Sequence, residues 1–133
     1  MTELWSFPVH TLTVRDKVFA DIIDDLRLAI SGHNFRLTEQ ARIGEAIAER
    51  DAIEFPALTV LHFCNLSYAR QLLEMAPDWV LRMPCRISVR QRDNGQAELQ
   101  ALLLPDNTDN AELNDFAKMI NAILLSILEE GAS

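Results

Sequence analysis

The sequence predicts an α+β fold in which a single, mostly antiparallel sheet is covered by helices on one face. Two observations lead to this prediction. Segments in which apolar and polar residues alternate, as in strands, are interspersed with segments whose apolar residues have helical spacing. An Asn-Gly pair between two alternating segments is typical of a tight hairpin. The resulting order is β-α-β-(α)-β-α-β-β-α. Amphipathic helices of this kind need a shared apolar surface to cover, and one sheet face provides it.

The chain opens with a predicted strand and a clear amphipathic helix. The stretch from Trp5 to Val14 alternates loosely, which indicates a strand at a sheet edge. Asp16 is the expected N-cap of the following helix, and Gly32 is its expected stop. The apolar face of this helix consists of Phe19, Ile22, Ile23, Leu26 and Ile30.

A weaker strand and helix follow. The residues from Phe35 to Leu37, or slightly beyond, predict a short strand, because they follow a helix stop and precede a new helical pattern. Ile43, Ala46 and Ile47 then mark a short helix. Gly44 lies inside that helix and lowers its propensity.

The next segment contains the first cysteine at a junction between two elements. Ala57 to Cys64 is apolar on both alternating faces, which predicts a central strand covered on both sides. Asn65 is a good N-cap for a helix that runs until Pro77. Cys64 would therefore lie beside the positive end of the helix dipole, where the pKa of a thiol tends to fall.

The second cysteine begins the hairpin. From Cys85 to Val89, apolar residues alternate with polar ones. This pattern predicts a half-buried strand with Cys85 on its apolar face. The turn Asp93-Asn94-Gly95 fits a type I′ hairpin, and Ala97 to Leu104 forms the return strand.

The last helix is predicted to begin at Thr108 or Asp109, the latter with Glu112 in a capping box, and to end at Gly131. Its apolar stripe is broader than one face. A helix of this kind packs on two surfaces, and the second surface is often a partner subunit, so we expect a homodimer. The stripe consists of Leu113, Phe116, Met119, Ile120, Ile123, Leu124, Leu125, Ile127 and Leu128.

Composition limits the class of protein. A chain of 133 residues can form one domain with its own core, and we expect residues 1–133 to be a single domain. The net charge of −8 repels phosphate backbones and anionic membranes, so we expect no nucleic-acid partner and no membrane partner. No apolar run approaches a membrane span, and the first ten residues do not resemble a signal peptide. We therefore expect a cytoplasmic protein with reduced cysteines.

The two thiols are the best site candidate. If the strand ends that carry Cys64 and Cys85 meet at one edge of the sheet, they form a pocket there, to which Asn65, Tyr68 and His62 would contribute. The alternative is that both cysteines are small buried apolar residues, which is common for free cysteine.

A soft-metal site is a weaker candidate. His62, Cys64 and Cys85 offer imidazole and thiolate ligands that suit copper or zinc, but they lack a clear fourth ligand. The sequence identifies no cofactor.

Four arginines form a second pattern. Arg82, Arg86, Arg90 and Arg92 have equal parity, which predicts either an anion site or a solvated face paired with Glu98. The solvated face is the favoured interpretation.

These motifs resemble a known family. Phe55-Pro56, Cys64-Asn65, Tyr68-Ala69, Pro84-Cys85 and the turn at Gly95 are similar to the family named domain of unknown function three-hundred-and-two, over roughly residues 9 to 104. The resemblance implies a small α+β domain of bacterial type, often dimeric, with no established activity. It implies no catalytic residue.

Three functions remain open. The first is a small binding module with a ligand, metal or cofactor pocket at the rim where Cys64 and Cys85 meet. The second is an enzyme, a thiol-dependent redox or sulfur-transfer protein with Cys64 as nucleophile and Cys85 as resolving thiol. The third is a structural or regulatory dimer with both cysteines in its core.

Overall fold

The computed structural model describes residues 7–133, and its elements follow the order predicted from the sequence. The predicted opening strand began at Trp5, which lies outside the described residues. The strands are β1 (Val9–Val14), β2 (Arg36–Arg42), β3 (Leu58–Cys64), β4 (Cys85–Gln91) and β5 (Ala97–Leu102). The helices are α1 (Phe19–Gly32), α2 (Ile43–Asp51), α3 (Leu66–Met75) and α4 (Ala111–Ala132), and a 3-10 helix spans Pro77–Arg82.

The strands form one open sheet in the order β1-β5-β4-β3-β2, with every neighbouring pair antiparallel. This arrangement confirms the predicted α+β class. In β3, β4 and β5 the buried side chains alternate along the strand and lie on one face, where they join the hydrophobic core with α1 and α4. The buried strand residues include Thr59, Leu61, Phe63, Ile87, Val89, Ala97, Leu99 and Ala101.

The environment predicted for β3 was wrong. β3 lies between β2 and β4, one position from the edge of the sheet, and only one of its faces is buried. Leu58 and Val60 are apolar but lie half-buried on the other face, with His62 and Cys64. The continuous apolar sequence of β3 therefore predicted that both faces of the strand are covered, whereas the fold buries only one of them.

The broad stripe of α4 has an explanation within the chain. α4 packs against α1 as well as against the sheet, and the Cβ that an alanine at Gly131 would add lies 2.3 Å from Leu26 Cδ2. Lys17 Nζ also donates to the carbonyl of Gly131 at 2.9 Å and pairs with Asp25 at 2.6 Å, which fastens the end of α4 to α1. The homodimer stays a prediction. The broad apolar stripe of α4 no longer supports it, because α1 covers part of that stripe.

Two helix starts differ from the sequence predictions. α1 begins after Val18, which makes no side-chain cap, and Asp16 has a positive φ of 59° before the helix. α4 begins after Asn110, whose side chain accepts a hydrogen bond from the Leu113 N–H at 3.1 Å. Thr108 instead bonds Asn114. Several short polar residues in sequence can each serve as a cap, and the backbone path decides which one does.

The hairpin between β4 and β5 is as predicted. Asn94 and Gly95 have φ values of 63° and 71°, the left-handed values that a type I′ turn requires. Gln91 pairs with Ala97 at the base of the hairpin.

Candidate functional site

The paired ends of β3 and β4 bring the two cysteines together. Phe63 is directly opposite Cys85 in the antiparallel register, so Cys64 is one residue further along the neighbouring strand. Because successive side chains point to opposite faces, Cys85 belongs to the core face with Phe63, while Cys64 belongs to the other face. The two thiols therefore approach the end of the sheet from its two sides.

A narrow cleft opens at this end of the sheet, and both cysteines line it. Its cavity volume is about 40 Å³, which is room for about three or four water-sized groups, given that ~10–15 Å³ holds one water. Most of the lining is apolar and comes from α3, β5, α4 and the segment before β4. The apolar lining residues are Phe7, Phe35, Tyr68, Ala69, Leu72, Met83, Pro84, Leu102, Leu104, Phe116, Ile120 and Leu124.

Asn65 fixes the junction between β3 and α3. Its Oδ1 accepts a hydrogen bond from the Tyr68 N–H at 3.0 Å, as predicted for an N-cap. Its Nδ2 donates to the carbonyl of Asn34 at 3.0 Å, which ties the junction to the turn before β2. The Asn65 side chain therefore fixes the position of the start of α3, next to Cys64, relative to the turn before β2.

Tyr68 forms part of an aromatic wall. Its ring centroid lies 5.7 Å from that of Phe35 and 6.3 Å from that of Phe116. Phe35 in turn makes an edge-to-face contact with Phe63. Tyr68 thus lines the cleft and also belongs to the packing around it.

Among the residues that the structure describes, two arginines are the charged residues that line the cleft. Arg82, at the end of the 3-10 helix, and Arg86, on β4, both line it. The guanidinium carbon of Arg82 lies 5.8 Å from the ring centroid of Phe7, a cation–π contact. Within residues 7–133, the Nε atoms of both arginines are buried and have no hydrogen-bond acceptor.

The thiols are poor nucleophiles at neutral pH. Burial raises the pKa of Cys85 to about 12, and the nearby Cys64 adds to that shift. Burial also raises the pKa of Cys64, while a backbone hydrogen bond from Asn65 lowers it by a smaller amount. The expectation that the helix dipole lowers the pKa of Cys64 was wrong, because desolvation outweighs it.

The metal candidate gains no support from the structure. His62 shares the face of Cys64, as predicted, but it is not part of the cleft lining. Over residues 7–133, no three His, Cys, Asp or Glu side chains are grouped so that they could hold a metal ion.

The arginine pattern divides into two parts. Arg90 and Arg92 both pair with Glu98, at 2.6 Å and 3.0 Å, as the solvated-face interpretation predicts. Arg82 precedes β4 and lies in the 3-10 helix, so the strand parity assigned to it was wrong. Arg82 and Arg86 join the cleft instead. Their positions on either side of Met83-Pro84-Cys85 were the feature of the sequence that could have identified them as cleft residues. No feature of the sequence indicated that Phe7 would line the cleft.

Comparisons with known proteins agree with this architecture. A family model described as domain of unknown function DUF302 matches residues 10–131. An uncharacterized protein of Aquifex aeolicus (strain VF5) is 27% identical over 88 residues, which are 66% of this chain and 55% of that protein. The chain thus spans about half the length of this curated relative.

A solved structure has the same fold. The crystal structure of an uncharacterized conserved DUF302 protein from Bacillus stearothermophilus superposes with a TM-score of 0.74 at 20% identity. The match covers 92% of this chain and 96% of the other. None of the helices described in residues 7–133 is long and apolar enough to cross a membrane.

Proposed function

This chain belongs to the DUF302 family, and from that premise we propose that it is a small binding module whose ligand occupies the cleft between Cys64 and Cys85. The observation that carries the proposal is the composition of the cleft. It combines apolar walls with two cysteines and two arginines, and within residues 7–133 the Nε atoms of both arginines are buried without an acceptor. A mostly apolar site with a few convergent polar groups is the usual form of a ligand pocket.

The volume of the cleft restricts the ligand. Pockets for drug-sized molecules usually have volumes of roughly 300–1,000 Å³. A cleft of about 40 Å³ accepts a few non-hydrogen atoms without rearrangement. The ligand is therefore a very small molecule or ion, or the tip of a larger ligand that stays outside.

A thiol-dependent redox or sulfur-transfer enzyme is the less supported alternative. Such an enzyme needs a thiolate, and burial raises the pKa of both thiols. Cys64 and Cys85 also belong to opposite faces of adjacent strands, which is unfavourable for direct disulfide formation. A structural role for both cysteines accounts for the burial of Cys85 but does not explain why the Nε–H groups of Arg82 and Arg86 lack acceptors among residues 7–133.

The cellular setting is part of the proposal. Cys64 and Cys85 are both free, as expected for a protein of the cytoplasm, where thiols stay reduced. We retain the homodimer as a proposal that sedimentation analysis would test directly.

The cleft can be tested with small probes and a blocking variant. Acetate, acetamide and ethylammonium would be titrated while backbone amide resonances are recorded by NMR. Ala69 lines the cleft on α3, so Ala69→Leu fills it, whereas Gln71→Leu adds the same side chain at an exposed position of the same helix.

We expect at least one probe to shift resonances around the cleft in the wild-type protein and in Gln71→Leu, and to lose this effect in Ala69→Leu. Shifts that persist in Ala69→Leu, or no shift with any probe, would refute the binding function.

A further inference from the structure

The charge of the cleft is opposite to that of the protein. The chain carries a net charge of −8, yet the described residues that line the cleft include Arg82 and Arg86 and no Asp or Glu. Both thiols are neutral at pH 7 because burial raises each pKa. The lining residues within 7–133 therefore carry a formal charge of two positive units beside a mostly apolar wall, where electrostatic interactions are strengthened.

Two neighbouring arginines, Arg90 and Arg92, have a carboxylate partner that Arg82 and Arg86 lack within residues 7–133. Arg90 and Arg92 share the carboxylate of Glu98 on the neighbouring strand. The Nε–H groups of Arg82 and Arg86 are buried without an equivalent acceptor in residues 7–133. A buried donor that lacks an acceptor is unfavourable, and more so when the group is charged. A water molecule would satisfy one such donor but would not neutralise a charge.

We propose that the cleft selects a compact, weakly hydrated monoanion, which accepts hydrogen bonds from Arg82 and Arg86 while its remaining atoms contact the apolar wall. This inference rests on the proposed binding function and specifies the ligand class. A cation is disfavoured by the two guanidinium groups. A strongly hydrated dianion is disfavoured because apolar walls such as Leu102 and Phe116 cannot replace its water.

Both arginines are suited to this role for a physical reason. A guanidinium group is more weakly hydrated than an ammonium group and presents its donors in a planar fork. Arg82 is also held against the Phe7 ring, which limits its motion before a ligand arrives. Thiocyanate is the weakly hydrated probe of this class, and acetate is a more strongly hydrated carboxylate of the same charge.

The test compares charged and neutral probes of similar shape. Thiocyanate would be compared with acetonitrile, acetate with acetamide, and sulfate would represent the hydrated dianions. Binding would be followed through the Nε–H resonances of Arg82 and Arg86 and the backbone resonances around the cleft. Arg82→Gln and Arg86→Gln remove the charge, and Arg90→Gln is the matched control because Arg90 pairs with Glu98 outside the cleft.

We expect thiocyanate or acetate to bind more tightly than its neutral counterpart and than sulfate. The affinity should fall about tenfold or more in Arg82→Gln and Arg86→Gln and stay unchanged in Arg90→Gln. If a glutamine variant does not fold, Arg86→Lys keeps the charge and removes the Nε–H fork, and it should also weaken binding.

Two failures are distinguishable. Neutral probes that bind as tightly as the anions, or an equal loss in Arg90→Gln, would overturn the anion preference and leave the binding cleft intact. If no probe of any charge perturbs the cleft, the binding function and the anion preference both fail.

Discussion

Cys85 lies directly opposite Phe63 across the β3–β4 pair, and this register turns the partly buried Cys85 toward the hydrophobic core, against which it packs. The adjacent Cys64 is on the other face of the sheet, where it is half-buried. The two cysteines border one cleft in different environments, and they should therefore react differently.

Cys64 should be alkylated before Cys85. In the native protein at neutral pH, we expect iodoacetamide to modify Cys64 slowly and Cys85 hardly at all, because burial raises the pKa of both thiols and that of Cys85 to about 12. Mass spectrometry of proteolytic peptides would measure each rate as a function of pH. Cys85→Ala serves as the control that isolates Cys64. Rapid labelling of Cys85 in the native state would contradict the assignment.

Cys85 should make the protein less stable at alkaline pH. An unfolded thiol has a pKa of ~8.5, whereas burial raises that of Cys85 to about 12. Between these values the unfolded state releases the proton first, so the free energy of unfolding falls as pH rises, by up to ~1.4 kcal/mol per pH unit from this group. Below ~8.5 the contribution is constant.

Urea unfolding of the wild type and Cys85→Ala across this range would measure the difference. The variant should lose this part of the pH dependence while it keeps the contributions of other titrating groups. Equal slopes for the two proteins would show that Cys85 is not desolvated in the folded state.

Asn65 should contribute to stability through two separate hydrogen bonds. Asn65→Ala removes the cap to the Tyr68 N–H and the bond to the Asn34 carbonyl, so we expect a loss of ~1–2 kcal/mol. Asn65→Asp retains an acceptor for the cap and loses the donor, which predicts an intermediate loss. Chemical denaturation would rank the three proteins. If Asn65→Asp were less stable than Asn65→Ala, the stability could not be attributed to these two hydrogen bonds.

Gly44 should not tolerate a side chain. A Cβ at this position would lie 2.2 Å from the carbonyl oxygen of Pro56 and 2.5 Å from the amide nitrogen of Leu58, both backbone atoms that cannot turn aside. Gly44→Ala should therefore destabilise the protein by more than ~2 kcal/mol despite the higher helix propensity of alanine.

Gly32→Ala is the matched control, because an added Cβ there meets nothing within 4 Å. This variant should be neutral or more stable by up to ~1 kcal/mol. Thermal unfolding of both variants would check the pair, and a Gly44→Ala protein as stable as the wild type would show that α2 lies further from the segment before β3.

Local patterns predicted the elements well because their causes are local. Asn65 was identified as a cap and Asn94-Gly95 as a turn, since both depend on backbone geometry within a few residues. Asp16 failed as a cap because the chain turns before the helix begins. The length of β2 was underestimated, since its sequence, RLTEQAR, is polar and its pairing with β3 defines it.

By itself, the sequence determined the order of strands and helices, the family resemblance and the importance of the segment that carries both cysteines. The tertiary structure alone decided which face each cysteine occupies, that α1 covers the second side of α4, and that Arg82 and Arg86 stand beside the thiols. The reason is physical: spacing along a chain fixes local periodicity, whereas desolvation and charge pairing depend on which distant segments become neighbours.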